Sequence, residues 1–201
     1  MVIEARLDTG GGTGVLALCT ANVCRSPMAA ALLARRLAGL GVGMPVCSAG
    51  MLHDGAQPPA EVIAAIAAYG LDVTDHRSHV VSGADLAAAG LVLAMAREHV
   101  RHAVVTKPEV WPRTFTLREL LRRGEQIGAR PVGESLAEWL WRAHEGRVRA
   151  ELLGHSPDDD LADPIGGPPH AYAATAALLD QLVTRLAELC WGHADAEARG
   201  R

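Results

Sequence analysis

Short apolar runs alternate with longer amphipathic stretches along this chain. Val15-Leu16-Ala17-Leu18-Cys19, Pro45-Val46-Cys47-Ser48-Ala49 and Leu91-Val92-Leu93-Ala94-Met95 carry no charge and are too short for helices, so they predict strands buried on both faces. Arg113-Thr114-Phe115-Thr116-Leu117, rich in β-formers, predicts a fourth. Between them, residues 27–40 hold helix-forming Ala, Leu, Met and Arg and are closed by Gly39 and Gly41. Residues 59–69 predict a second helix stopped by Gly70, and residues 97–105 a third. The clearest helix spans 169–190, where Leu178, Leu179, Leu182, Val183, Leu186 and Leu189 share one face. Strand–helix alternation predicts an α/β fold: one three-layer domain, a four-stranded parallel sheet with helices on both faces. In such sheets ligands bind beyond the carboxyl ends of the strands.

The ends and one internal segment break this rhythm. Residues 1–13 read as a flexible extension that includes a glycine run, residues 14–191 as the domain, and 192–201 as a loose tail. The glycine run lacks the Gly-Lys-Ser/Thr of a nucleotide-binding loop. The segment 107–160 is less regular and holds Trp111, Trp139 and Trp141, which are assigned to packing. Within it, residues 134–150 predict a helix covering one side of the sheet.

Composition narrows the function classes. Hydrophobic residues make up 49% of the 201 and charged ones 21%, which excludes a disordered chain. Nineteen basic against twenty-three acidic residues give a net charge of −4, so nucleic acid is not an expected partner. The longest stretch free of Asp, Glu, Lys and Arg, 37–53, is interrupted by four glycines and a proline, so no membrane partner is expected. Glu4 and Asp8 argue against a secretory signal, and cysteines at 19, 24, 47 and 190 do not form a disulfide framework. A cytoplasmic location follows as the expectation. Cys47 and Cys190 read as buried thiols. The histidines show no metal-ligand spacing, so neither a metal nor a cofactor is expected.

The chemistry concentrates in Cys19-Thr20-Ala21-Asn22-Val23-Cys24-Arg25-Ser26-Pro27, where a buried strand gives way to a helix. Pro27 suits the first helical turn, and Ser26 is placed at the N-cap. Backbone N–H groups of such a loop can converge into an anion cradle, and Arg25 adds a planar, bidentate oxyanion donor. A cysteine at the base of this cradle is a candidate nucleophile. A free thiol is only a few per cent ionised at neutral pH. A helix terminus contributes ~0.3–2 kcal/mol, too little alone to ionise it. Loop amides, Ser26 and Arg25 must supply the rest.

Cysteine, five residues, arginine and serine after an N-terminal apolar strand, with Asn22 and Cys24 inside the loop, resembles the low-molecular-weight protein-tyrosine-phosphatase family. Cys47-Ser48-Ala49-Gly50, Asp75-His76-Arg77-Ser78, Leu93-Ala94-Met95 and Asp163-Pro164 fall in the family's order, over residues 15–189. The resemblance implies a flavodoxin-like or Rossmann-like domain that hydrolyses a phosphotyrosine protein or a small phosphate ester through a cysteinyl phosphate. It implies Cys19 as nucleophile, Arg25 as oxyanion ligand and Asp163 as general acid. Thr20, Ala21, Asn22, Val23, Cys24 and Ser26 would form the phosphate cradle, braced by Ser48 and His76. It also implies a reversible disulfide between Cys19 and Cys24. Asp158, Asp159 and Asp160, beside the acid, read as a solvated run.

Some positions depart from the family pattern. Ala21 stands where the loop often has glycine, which requires a negative φ there. After Asp163-Pro164 the chain reads Ile165-Gly166-Gly167-Pro168-Pro169-His170, where relatives place aromatics. Leu52 or His53 is expected at the opposite pocket wall, where relatives have tryptophan. Two other functions remain open on this scaffold. Arsenate reduction would need further cysteines, and none lies between Cys47 and Cys190. The other is a non-catalytic module that binds anions through an intact cradle.

Overall fold

A computed structural model of the chain describes residues 12–192. The expected extension up to Gly11 and the tail from His193 lie outside the described residues. Four parallel strands, β1 (Gly14–Leu18), β2 (Val46–Ala49), β3 (Ala89–Ala94) and β4 (Thr114–Thr116), form one sheet in the order β2-β1-β3-β4. Both faces are covered, as the apolar runs require. In β1, Val15 and Ala17 enter the core on one face, whereas Leu16 and Leu18 enter the core on the other. The larger core lies beneath α1 (Arg25–Gly39), α2 (Ala60–Ala67), α5 (Leu117–Ile127), α6 (Leu136–His144) and α7 (Pro169–Trp191). The smaller core is closed by α3 (Gly83–Ala88) and α4 (Arg97–Thr106).

The predicted strands and the helices at 97–106 and 169–191 match in type and place; β4 is trimmed to three residues. The helix predicted over 134–150 ends at His144, and a 3-10 turn at Arg149–Leu152 follows a break at Gly146, whose φ is +74°. α5 is not among the predicted elements, yet its signals are local. Thr116 caps it by accepting from the Glu119 amide, and Leu117, Leu120, Leu121 and Gly124 recur at helical spacing on its buried face.

The irregular segment closes the sheet at β4. Arg147 lies between the rings of Trp111 and Phe115, its guanidinium carbon 3.8 and 3.9 Å from the two centroids. It pairs with Glu119 through two nitrogens and donates to the carbonyls of Trp111 and Thr114. Trp111 and Trp139 are buried and so serve packing, whereas Trp141 is exposed.

Candidate active site

The loop from Cys19 to Cys24 leaves the carboxyl end of β1 and enters α1. It is anchored to the end of β2 and the segment after it: Cys19 N–H donates to the Ala49 carbonyl, and Met51 N–H to the Thr20 carbonyl. The helix starts two residues earlier than its sequence signals suggest. Cys24, not Ser26, is the N-cap, and it makes no side-chain cap bond. Ser26 thus sits inside the first turn, with its hydroxyl turned to the loop. That hydroxyl lies 3.0 Å from Cys19 Sγ, accepts from Asn22 Nδ2 at 3.0 Å, and donates to the Ala49 carbonyl at 3.3 Å.

Asn22 is the hub. It is fully buried and has a φ of 55°, the one non-glycine residue with positive φ among the described residues. This left-handed conformation is costly for most side chains and least so for Asn and Asp. Asn22 Nδ2 also donates to Ser48 Oγ at 2.8 Å, and Oδ1 accepts from the His79 amide at 2.9 Å. His76 Nε2 donates to its carbonyl at 2.7 Å. Ala21 is spared the positive φ. Burial pushes the His76 imidazole below its ordinary pKa, although this bond to Asn22 acts the other way.

Gly50 explains how the loop can pass so close to β2. A Cβ there would lie 2.8 Å from the Asn22 amide nitrogen and 2.9 Å from the Ala21 carbonyl carbon. No side chain fits.

Arg25 is 4% exposed and faces the same bowl. One terminal nitrogen donates to the Leu161 carbonyl at 3.0 Å. The other donates to Thr20 Oγ1 at 3.1 Å and pairs with Asp163 Oδ2. Its Nε, also buried, has no partner among the described residues. A buried guanidinium edge with an unpaired N–H is suited to an oxyanion. Asp163 lies at the mouth, and its Oδ1 accepts from the Ile165 amide at 3.2 Å. The turn after it is tied to α7 by Gly166 N–H donating to Tyr172 Oη at 3.1 Å.

The acidic run before Asp163 is solvated only at Asp158, which is exposed; Asp160 is half-buried and Asp159 buried. Asp159 is 4% exposed and binds Arg97 and Arg122, and Asp160 accepts from the amides of Arg97 and Ser156. Leu161 N–H donates to the Met95 carbonyl at 2.8 Å. These bonds fasten the segment that leads to Asp163 to α4, α5 and the end of β3. The sequence hid this role, because buried and exposed aspartates look alike until their arginine partners are known. Cys47 is half-buried rather than buried, whereas Cys190 is fully buried. All four cysteines are free thiols. Burial, then Asp163 and Cys19, push the Cys24 thiol up to about 12, so it is neutral at pH 7.

Val23 and Cys24 complete the loop between Asn22 and Arg25. Leu52 and His53 follow Met51, whose amide binds the loop, and are exposed. His99, 79 residues from its contact Thr20, is a site neighbour that the sequence analysis missed. Among the described residues, no three His, Cys, Asp or Glu side chains are grouped to hold a metal ion. No helix among them is long and apolar enough to cross a membrane.

At the carboxyl edge of the parallel sheet, Cys19 at the end of β1 and Arg25 at the start of α1 flank one loop, and Asp163 pairs with Arg25 at its mouth. The profile of the family described as low molecular weight phosphotyrosine protein phosphatase matches residues 14–128. The chain belongs to this family and is a phosphatase hydrolase. It is 30% identical over 175 residues to a protein-arginine-phosphatase of Geobacillus stearothermophilus, covering 87% of this chain and 93% of that one. It is 33% identical over 113 residues to the low molecular weight protein-tyrosine-phosphatase Etp of Escherichia coli K12, covering 55% of this chain and 73% of Etp. Among solved structures, a low molecular weight protein tyrosine phosphatase from T. tengcongensis superposes with a TM-score of 0.66 at 31% identity, covering 88% of this chain and 99% of that one.

Proposed function

We propose that the protein hydrolyses a phosphorylated side chain of a protein, phosphotyrosine first, by two-step phosphoryl transfer through Cys19. The observation that carries this reading is the loop itself: Cys19 Sγ lies 3.0 Å from Ser26 Oγ, and the buried Arg25, its Nε unpaired, binds Thr20 beside that cysteine. In the first step the Cys19 thiolate attacks phosphorus in line with the leaving oxygen. An S–P bond forms, the P–O bond breaks, and Asp163 gives its proton to the departing alcohol. In the second step water attacks phosphorus, Asp163 takes the water proton, and the S–P bond breaks to return thiolate and inorganic phosphate. Arg25 and the loop amides hold the equatorial oxygens, whose charge they match in both transition states. Arg25 pairs with Asp163 through the nitrogen that would hold substrate, so the carboxyl must turn outward, towards the leaving group, as phosphate enters. Asn22, Ser48 and His76 act by holding the loop.

A second reading, phosphoarginine, is favoured by the mouth. Leu52, next to the loop-bonded Met51, and Ile165, two residues after Asp163, are exposed aliphatic residues, and no Phe, Tyr or Trp follows Pro164 until Tyr172, which is buried. An aryl group would forgo ~0.5–1.5 kcal/mol per missing ring contact. The similarity to an arginine phosphatase over nearly its whole length supports the same reading.

The test is phosphate release from matched phosphotyrosine and phosphoarginine peptides, with Cys19→Ser and Asp163→Asn beside the wild type. Wild-type turnover of one class, none by Cys19→Ser, and a smaller loss in Asp163→Asn fit the assigned roles. Full activity in Cys19→Ser would discard them.

A further inference from the structure

The two-step chemistry leaves His99 unused, although it is fully buried against the loop. It lies in the first turn of α4, with Nε2 3.0 Å from Thr20 Oγ1 and 3.4 Å from Glu98 Oε1. Nδ1 is buried without a partner among the described residues. Burial, with the Arg25 charge next, pushes this imidazole down to about 3, so the ring is neutral at pH 7.

A neutral imidazole has one proton and two places for it. On Nδ1, the proton would be a buried donor with no acceptor, and the Nε2 lone pair would face a carboxylate. On Nε2, the N–H faces two oxygen atoms. The proton therefore belongs on Nε2, and His99 donates to Thr20 Oγ1. The same oxygen accepts from an Arg25 terminal nitrogen at 3.1 Å. A hydroxyl has two lone pairs and one proton, so both acceptor sites of Thr20 are taken. Its own proton is left to give away, beside the arginine nitrogen that also holds Asp163.

We propose that the Thr20 hydroxyl donates to a phosphoryl oxygen held by Arg25, and that His99 is the positioning residue that aims it. The proposal rests on the bowl being a site of phosphoryl transfer. A donor aimed before reaction stabilises charge that grows in the transition state, so the effect belongs mainly in kcat.

The experiment compares hydrolysis of p-nitrophenyl phosphate, affinity for inorganic phosphate by calorimetry, and thermal stability across five variants. Removing one oxyanion donor costs roughly 10²–10³ in kcat in a well-studied case. A side-chain hydroxyl that shares the load with Arg25 is expected to cost less, about 10- to 100-fold for Thr20→Val, with Thr20→Ser within about threefold of wild type. His99→Leu should lose about tenfold in kcat, and His99→Gln, whose amide N–H can replace Nε2–H, far less. The double variant Thr20→Val with His99→Leu should be no slower than Thr20→Val alone, because one residue acts through the other. Unchanged kcat in Thr20→Val would overturn the proposal. So would additive losses in the double variant, or losses that track thermal stability alone. If the wild type binds phosphate but turns nothing over, the phosphatase reading fails. The donor claim is then decided by whether Thr20→Val weakens phosphate binding, and unchanged binding overturns it. A wild type that neither binds phosphate nor turns over overturns both.

Discussion

The floor of the bowl and its rim are built on opposite principles. On the floor, Asn22 and Ser26 are fully buried and each makes several hydrogen bonds, and the Arg25 guanidinium is held on both terminal nitrogens. On the rim, Leu52 is 59% exposed and Ile165 47% exposed. A buried polar network is expensive to disturb, because each lost partner strands a desolvated group. Exposed side chains are cheap to change. On the proposed function, the end that holds phosphate would be fixed, and the choice of what carries the phosphate would be left to residues that little else depends on. Relatives of this chain named for tyrosine and for arginine substrates fit that division.

The largest effect is expected where the floor is cut at its hub. Asn22→Ala removes three side-chain hydrogen bonds at a φ of 55° and should lower kcat/KM more than about 100-fold, with ~2–4 kcal/mol lost in denaturant unfolding. Asn22→Gly, which relieves the φ but not the bonds, should recover stability more than activity. Near-wild-type turnover in either variant would break the comparison. Next is Gly50→Ala, whose methyl meets backbone rather than a movable side chain. We expect roughly a 10- to 100-fold loss of kcat, since ~1 Å displacements near a reacting centre are that costly.

A pH titration of stability sharpens the same contrast. His99 is neutral in the fold and has an ordinary pKa of 6.5 when unfolded, against about 3 when folded. The unfolded chain therefore takes up its proton first as pH falls. Stability from this group is complete above 6.5 and is lost progressively towards 3, by about 2 kcal/mol at pH 5. His76, also lowered by burial, adds loss of the same sign. Unfolding midpoints for the wild type and His99→Gln should converge at low pH, and parallel curves would contradict this. The smallest effect belongs to the rim. Leu52→Trp should lower KM for an aryl phosphate about two- to tenfold at unchanged kcat, one ring contact being worth ~0.5–1.5 kcal/mol. A change in kcat would mean that rim and floor are not separable.

How much of this was legible in the sequence depended on distance along the chain. The strand–loop–helix around Cys19 is one contiguous stretch, and its chemistry is written in the spacing of Cys19, Arg25 and Ser26. Serine is a good N-cap residue, which points to Ser26, yet its hydroxyl is engaged by Cys19, Asn22 and Ala49 and the cap falls at Cys24. His99, Asp159 and Leu161 meet the site only through tertiary packing. No periodicity announces such a meeting. Gly50 stood inside a recognised segment, but its reason, the approach of Asn22, is a contact between two loops.

Arg147 closes a different kind of gap. β4 is the last strand of the sheet, and such a margin normally offers its carbonyls to any passing extended chain. Here the Thr114 carbonyl is already taken by a guanidinium clamped between two rings and a carboxylate. The Thr114 carbonyl is thus held by a side chain rather than by another strand, and a chain that needed it for pairing would first have to evict a buried cation.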